Sequence, residues 1–153
     1  MKLDEAYAAG LLDGEGTVTF MHHNSKASFR TPTVSLTSTT EALVDFMVKV
    51  FGGNKRVHKT YKAHHRKAWV WSVHYNAALK CLRRTLPYLR EPEKRRRAEL
   101  LLAIYPALTR RNGRYKPEEI RAKLKFEEEF FDPTIASSVE GLRSCSIDNS
   151  IRG

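Results

Sequence analysis

The first eighteen residues limit what this chain can become more than any other part of it. From Ala6 to Val18 the sequence reads AYAAGLLDGEGTV, a short helix that runs straight into a strand. Asp4 is placed to act as its N-cap. Leu3, Tyr7 and Leu11 recur four apart and give the helix one bulky apolar face. Ala6, Gly10 and Gly14 also recur four apart, flanked by Ala9 and Asp13, and give it a second face with almost no side chain. Glycine inside a helix costs about 1 kcal/mol relative to alanine, so the glycines at 10, 14 and 16 point to a steric need. A side-chain-poor stripe lets two helix backbones come close, and in membranes the same small-xxx-small spacing associates helices. No run here approaches the ~20 apolar residues of a membrane span, so the expected partner is another helix in water. Glu15 stands between Gly14 and Gly16, where helix gives way to strand. A carboxylate at the end of a closely packed helix pair is well placed to hold a metal.

At 153 residues the chain has the length of one domain, expected over 1–131, with 132–153 as a Ser-rich, loosely held tail. Its formal charge of +10 suits a polyanionic partner. The basic residues are interleaved with strand-like patterns, which favours a folded binding surface over a basic arm. Cys81 and Cys145 are too few and too far apart for a disulfide framework or a Cys-rich zinc site. With neither a signal peptide nor a membrane span, the expected setting is intracellular, either an organelle or a microbial cytoplasm.

Thr17 to His23 alternates apolar and polar as a half-buried strand does, Asn24-Ser25-Lys26 supply a turn, and residues 29–37 form a second strand. Thr39 or Thr40 caps a helix with Leu43, Phe46, Met47 and Val50 on its buried stripe, ended by Gly52-Gly53. Residues 55–62 and 67–74 read as a second hairpin, and a third helix runs from about Asn76 to Leu86 with Ala78, Leu79 and Leu82 inward. Glu93 to Leu108 gives another helix, residues 109–116 a basic turn, and Pro117 opens a last one. The order αββαββα predicts an α+β fold: a saddle-shaped antiparallel sheet, helices on one face, and further helices at the C-terminus.

The stretch AAGLLDGEG resembles the motif of the LAGLIDADG homing endonucleases, intron- or intein-encoded enzymes that cut long DNA sites. Ala9-Gly10 match the family's Ala-Gly, Leu11-Leu12 its apolar pair, Asp13-Gly14 its first Asp and small residue, and Gly16 closes the motif. Glu15 stands where the family's catalytic acid sits. One copy of the motif implies the homodimeric type, joined through Ala6, Ala9, Gly10, Asp13 and Gly14. The resemblance implies a catalytic, metal-binding Glu15, the Gly14 carbonyl as a further metal ligand, and Mg2+ or Mn2+ as cofactor. It also implies a basic residue beside the scissile phosphate, which Lys94, after Pro87-Tyr88-Leu89, matches best. Where many members carry a glutamine after the second strand, this chain has Ser38. The implied activity is hydrolysis of both strands of a long, roughly palindromic duplex, leaving 3′ overhangs.

Strand alternation assigns the readers of that duplex. If Val18 and Phe20 face the core, Thr17, Thr19, Met21 and His23 face DNA, joined by Thr31, Thr33 and Ser35 and by Arg56, His58 and Thr60. Arg30, Lys62, Arg66 and Lys67 suit phosphate contacts, which position without reading sequence. Trp69, Trp71 and Val73 share one parity and are expected in the core. The six histidines lack zinc spacing and are expected on the surface or facing DNA. Two other functions fit the same basic saddle: an RNA-binding maturase of a host intron, and a DNA-binding regulator that has lost catalysis.

Overall fold

A computed structural model describes residues 1–22, 29–59, 62–109 and 114–134. The turn at 24–26, two of the assigned readers (His23 and Thr60), half of the basic turn and the tail from 135 onward lie outside the described residues. The chain divides into two compact units, Met1–Leu102 and Ala103–Gly153.

The first unit opens with α1 (Lys2–Glu15), followed by β1 (Gly16–Met21), β2 (Thr31–Ser38) and α2 (Glu41–Phe51). β3 (Asn54–Val57), β4 (Trp69–His74) and α3 (Tyr75–Thr85) come next, then a 3-10 turn at Leu86–Tyr88 and α4 (Pro92–Leu108), whose residues from Ala103 belong to the second unit. Asp4 does not cap α1. The helix reaches back to Met1, whose carbonyl accepts the Glu5 N–H at 3.2 Å, and this leaves Asp4 and Glu5 inside the first turn. Carboxylates are favoured there by the helix dipole.

The strands form one antiparallel sheet in the order β1-β2-β4-β3. Its register pairs Val18 with Val34, Val34 with Val73, and Leu36 with Trp71, so these residues share one face. All five are buried, and helices α1, α2 and α3 pack against the sheet. Trp71 is fully enclosed, and its indole Nε1–H donates to the Gly52 carbonyl at 2.7 Å. A buried indole needs such an acceptor, and the end of α2 supplies it.

Gly52 and Gly53 take positive φ values of 69° and 93°, a region that penalises any side chain. At Gly53 there is also no room: a Cβ would lie 2.5 Å from Val73 Cγ1 and 2.7 Å from the Ser72 carbonyl oxygen. On α2 the buried stripe centres on Val44 and Met47, with Leu43, Phe46 and Val50 only half-buried around it. On α3, Ala78, Leu79 and Leu82 lie inward as expected, together with Cys81, whose thiol burial pushes up to about 12.

In the second unit, α5 (Pro117–Phe131) starts with a cap in which the Glu119 carboxylate accepts the Lys116 N–H at 2.7 Å. Phe126 and Phe130 are buried there. The buried Lys123 ammonium lies over the rings of Tyr105 and Tyr115, at 5.6 and 4.9 Å from their centroids. Among the described residues, no helix is long and apolar enough to cross a membrane.

Candidate functional site

Two surfaces of the first unit carry the residues singled out by sequence: the exposed side of α1 with its C-terminal end, and the sheet face turned away from the helices.

On α1 the buried side is Ala8, Ala9 and Leu12, and the outward side carries Leu3, Tyr7, Gly10 and Gly14. Ala9, expected at a dimer interface, is 0% exposed and belongs to this chain's own core. The bulky and side-chain-poor stripes prove to be neighbours on one open face, where Leu3 is 79% and Tyr7 51% exposed. A Cβ built on Gly10 or Gly14 meets nothing within 4 Å. Packing among the described residues therefore gives no reason for glycine at either place, although each costs about 1 kcal/mol of helix propensity. Gly16 differs, because a Cβ there would sit 2.6 Å from the Leu12 backbone. Beside Ala6, Gly10 and Asp13 runs an open groove of about 600 Å3, walled by Pro87, Tyr88, Leu89, Arg90 and Arg95.

Lys94 holds the C-terminal end of α1. Lys94 Nζ donates to the carbonyl oxygens of Leu12 at 2.8 Å and Asp13 at 2.7 Å. Helix ends leave carbonyls without partners, and a cation there also opposes the helix dipole. Such charge-assisted bonds contribute about 1.5–3 kcal/mol each. An ammonium has three protons, and among the described residues nothing takes the third. The Asp13 carboxylate accepts the N–H groups of Arg90 at 2.9 Å and Glu91 at 3.1 Å. Asp13, expected at the interface, is thus hydrogen-bonded within its own chain. Glu15 is exposed, and among the described residues nothing hydrogen-bonds to its carboxylate.

The run after Lys94 is also engaged internally. Glu93 pairs with Arg96 at 2.7 Å and Arg97 at 2.9 Å, and the Arg96 guanidinium holds the Glu93 carboxyl below its usual range against a smaller opposing effect of burial. Arg97 also reaches the Val18 carbonyl at 3.2 Å, and Arg95 the Leu89 carbonyl at 2.9 Å.

The outward sheet face follows from the register. Thr17, Thr19 and Met21 lie opposite Ser35, Thr33 and Thr31, and Arg56 lies opposite Val70. Thr17, Met21 and Arg56 are exposed there, while Thr19 and Ser35 are half-exposed. Thr31 and Thr33 share the face but are covered. Thr33 is 2% exposed, and its hydroxyl lies 3.1 Å from His74 Nδ1 and 3.4 Å from the Thr31 carbonyl oxygen. It supports its neighbours and does not reach outward. Arg30, expected on a phosphate, donates to the Phe20 carbonyl at 3.3 Å. His58, Lys62, Arg66 and Lys67 are exposed around the β3–β4 connection, with the Lys67 ammonium 5.1 Å from the Trp69 ring centre. Asn54, Ser72 and His74 also lie on this face by register. They were not assigned from sequence, although the inward parity of Trp69, Trp71 and Val73 already turns 70, 72 and 74 outward.

The donors at the end of α1 are one carboxylate and one backbone carbonyl, both hard oxygen. Among the described residues no three His, Cys, Asp or Glu cluster as a metal cage. A Mg2+-like ion fits such a set, since it keeps waters and takes one or two carboxylates plus substrate phosphate.

No family model and no curated protein matches the chain. Its structure, however, is similar to solved ones. The homing endonuclease I-CvuI, in complex with its target in the presence of Ca, aligns at TM-score 0.66 and 19% identity, over 94% of this chain and 92% of that one. The archaeal intron-encoded homing endonuclease I-Vdi141I, complexed with DNA, aligns at 0.54 and 13%, over 93% of each chain. The LAGLIDADG homing endonuclease I-SmaMI, bound to cleaved DNA, aligns at 0.58 and 16%, over 92% of this chain and 47% of that one. At these identities what is shared is architecture, and the architecture of this chain is that of the LAGLIDADG homing endonucleases.

Proposed function

We propose that the chain is a site-specific, divalent-metal-dependent DNA endonuclease that works as a homodimer on a long, roughly palindromic duplex. The observation that carries this reading is the pairing, among the described residues, of an exposed Glu15 whose carboxylate accepts no hydrogen bond with a glycine-lined helix face that no other residue covers. The architecture, shared with proteins solved on DNA, and the charge of +10 support it.

Two copies joined along Gly10 and Gly14 bring the two Glu15 carboxylates together, each with its Gly14 carbonyl. These oxygens hold Mg2+ or Mn2+, which when bound supplies the Lewis acidity that phosphodiester hydrolysis needs. Lys94 stays on the last turn of α1 and keeps one proton for a phosphate oxygen on which charge develops. Thr17, Thr19, Met21 and Arg56 read base edges from the outward sheet face, and Lys62, Arg66 and Lys67 hold the backbone. Cutting near the centre of the site on both strands leaves 3′ overhangs.

A Glu15→Gln variant tests the reading on a randomised duplex library with Mg2+. It is expected to bind selected duplexes as the wild type does and to cut them at least about a hundredfold more slowly. A wild-type protein that binds these duplexes without ever cutting them overturns the enzyme reading and leaves a binding protein.

A further inference from the structure

The two helix ends that flank Glu15 are joined by a closed circuit of hydrogen bonds. It starts in the segment before α4. Glu91 precedes Pro92, and a residue before proline is kept extended, so its N–H and that of Arg90 have no helical acceptor. The Asp13 carboxylate takes both, at 3.1 and 2.9 Å. Glu91 is also the N-cap of α4: its carbonyl accepts the Arg95 N–H at 3.0 Å. Its carboxylate accepts the N–H groups of Glu93 at 3.2 Å and Lys94 at 2.7 Å. The Lys94 side chain then returns to the Leu12 and Asp13 carbonyls and closes the ring.

We propose that Asp13 and Glu91 are positioning residues for Lys94: together they fix where α4 begins, and so where its ammonium meets the turn that presents Gly14 and Glu15. Their functional effect rests on the nuclease reading, whereas the circuit itself does not. The Glu91 carboxylate holds the Glu93 and Lys94 N–H groups and Lys94 in turn holds the α1 carbonyls, so cutting the ring at Glu91 loosens the α4 start and, through Lys94, the α1 end. Removing only the capping carboxylate leaves Glu15, Gly14 and the sheet untouched. A displacement near 1 Å is enough to slow an aligned reaction by about a hundredfold.

The test is a double-mutant cycle on the full chain with Glu91→Ala and Lys94→Met, read as single-turnover cleavage at saturating DNA and Mg2+. Glu91→Ala is expected to slow cleavage about 10- to 100-fold with DNA affinity unchanged, and Glu91→Asp, a better N-cap, to restore the rate. In the Lys94→Met background, Glu91→Ala should change the rate by less than about twofold, because it acts through Lys94. Multiplicative effects, or a Glu91→Ala rate equal to wild type, overturn the proposal. Amide hydrogen exchange provides a readout free of activity: Glu91→Ala should speed exchange at Arg90, Lys94 and Gly16 together. If the wild type does not cut, the nuclease reading falls, and exchange still judges the circuit. Faster exchange at Lys94 alone overturns it.

Discussion

Three glycines of this chain serve different ends. Gly53 is required by its own surroundings, with φ at 93° and no room for a methyl group between Val73 and the Ser72 carbonyl. Gly53→Ala is expected to cost at least about 2 kcal/mol, seen as a lower urea midpoint with an unchanged m-value. Gly10 and Gly14 meet no such demand. Glu93 carries a different kind of prediction. Its folded pKa is lowered chiefly by Arg96, so the stability it adds is complete above the ordinary glutamate value of about 4.3 and fades as pH falls through the folded value. Glu93→Gln should therefore melt below wild type at pH 7 and approach it near pH 3. A variant whose deficit is constant across that range would show that the ion pairs contribute nothing.

Among the elements, strands proved more legible than helix ends. The alternation of Val18 and Phe20, and of Trp69, Trp71 and Val73, places each set on the inner face, because one buried side pins the register of a strand. The second hairpin is shorter than its sequence pattern. β3 stops at Val57, and just beyond it the His58 N–H donates to the Ala68 carbonyl at 2.8 Å. From Lys59 to Lys67 the apolar residues are only Tyr61 and Ala63 among six basic or histidine side chains, too few for alternation to pin a register. The motif helix was legible as an element, with Gly10 and Gly14 on its open side, but one flanking residue was not. Ala9 faces inward, since the core of the sheet takes the Ala8, Ala9 and Leu12 side. Contacts such as Asp13 to Glu91 were beyond reading altogether. They join a side chain to a backbone N–H 78 positions away, and no periodicity records that.

At the scale of the whole molecule, the open face of α1 bears on assembly. Gly10→Leu should leave a folded chain, because nothing lies within 4 Å of a Cβ there, yet prevent close approach of a second helix. Sedimentation of this variant is expected to give a monomer where the wild type gives a dimer; an unchanged dimer would place the interface elsewhere. The sheet contributes another property. Its edges are β1 and β3, and Thr17, Met21, Asn54 and Arg56 there are exposed on the outward side. Thr31, Thr33 and Val70, on the central strands of that same side, are covered. Replacing an exposed edge residue therefore alters stability by only about 0.5 kcal/mol. If these rims read DNA as proposed, inherited changes can accumulate along them while the covered central residues stay constant, so recognition can follow a drifting target without loss of folding.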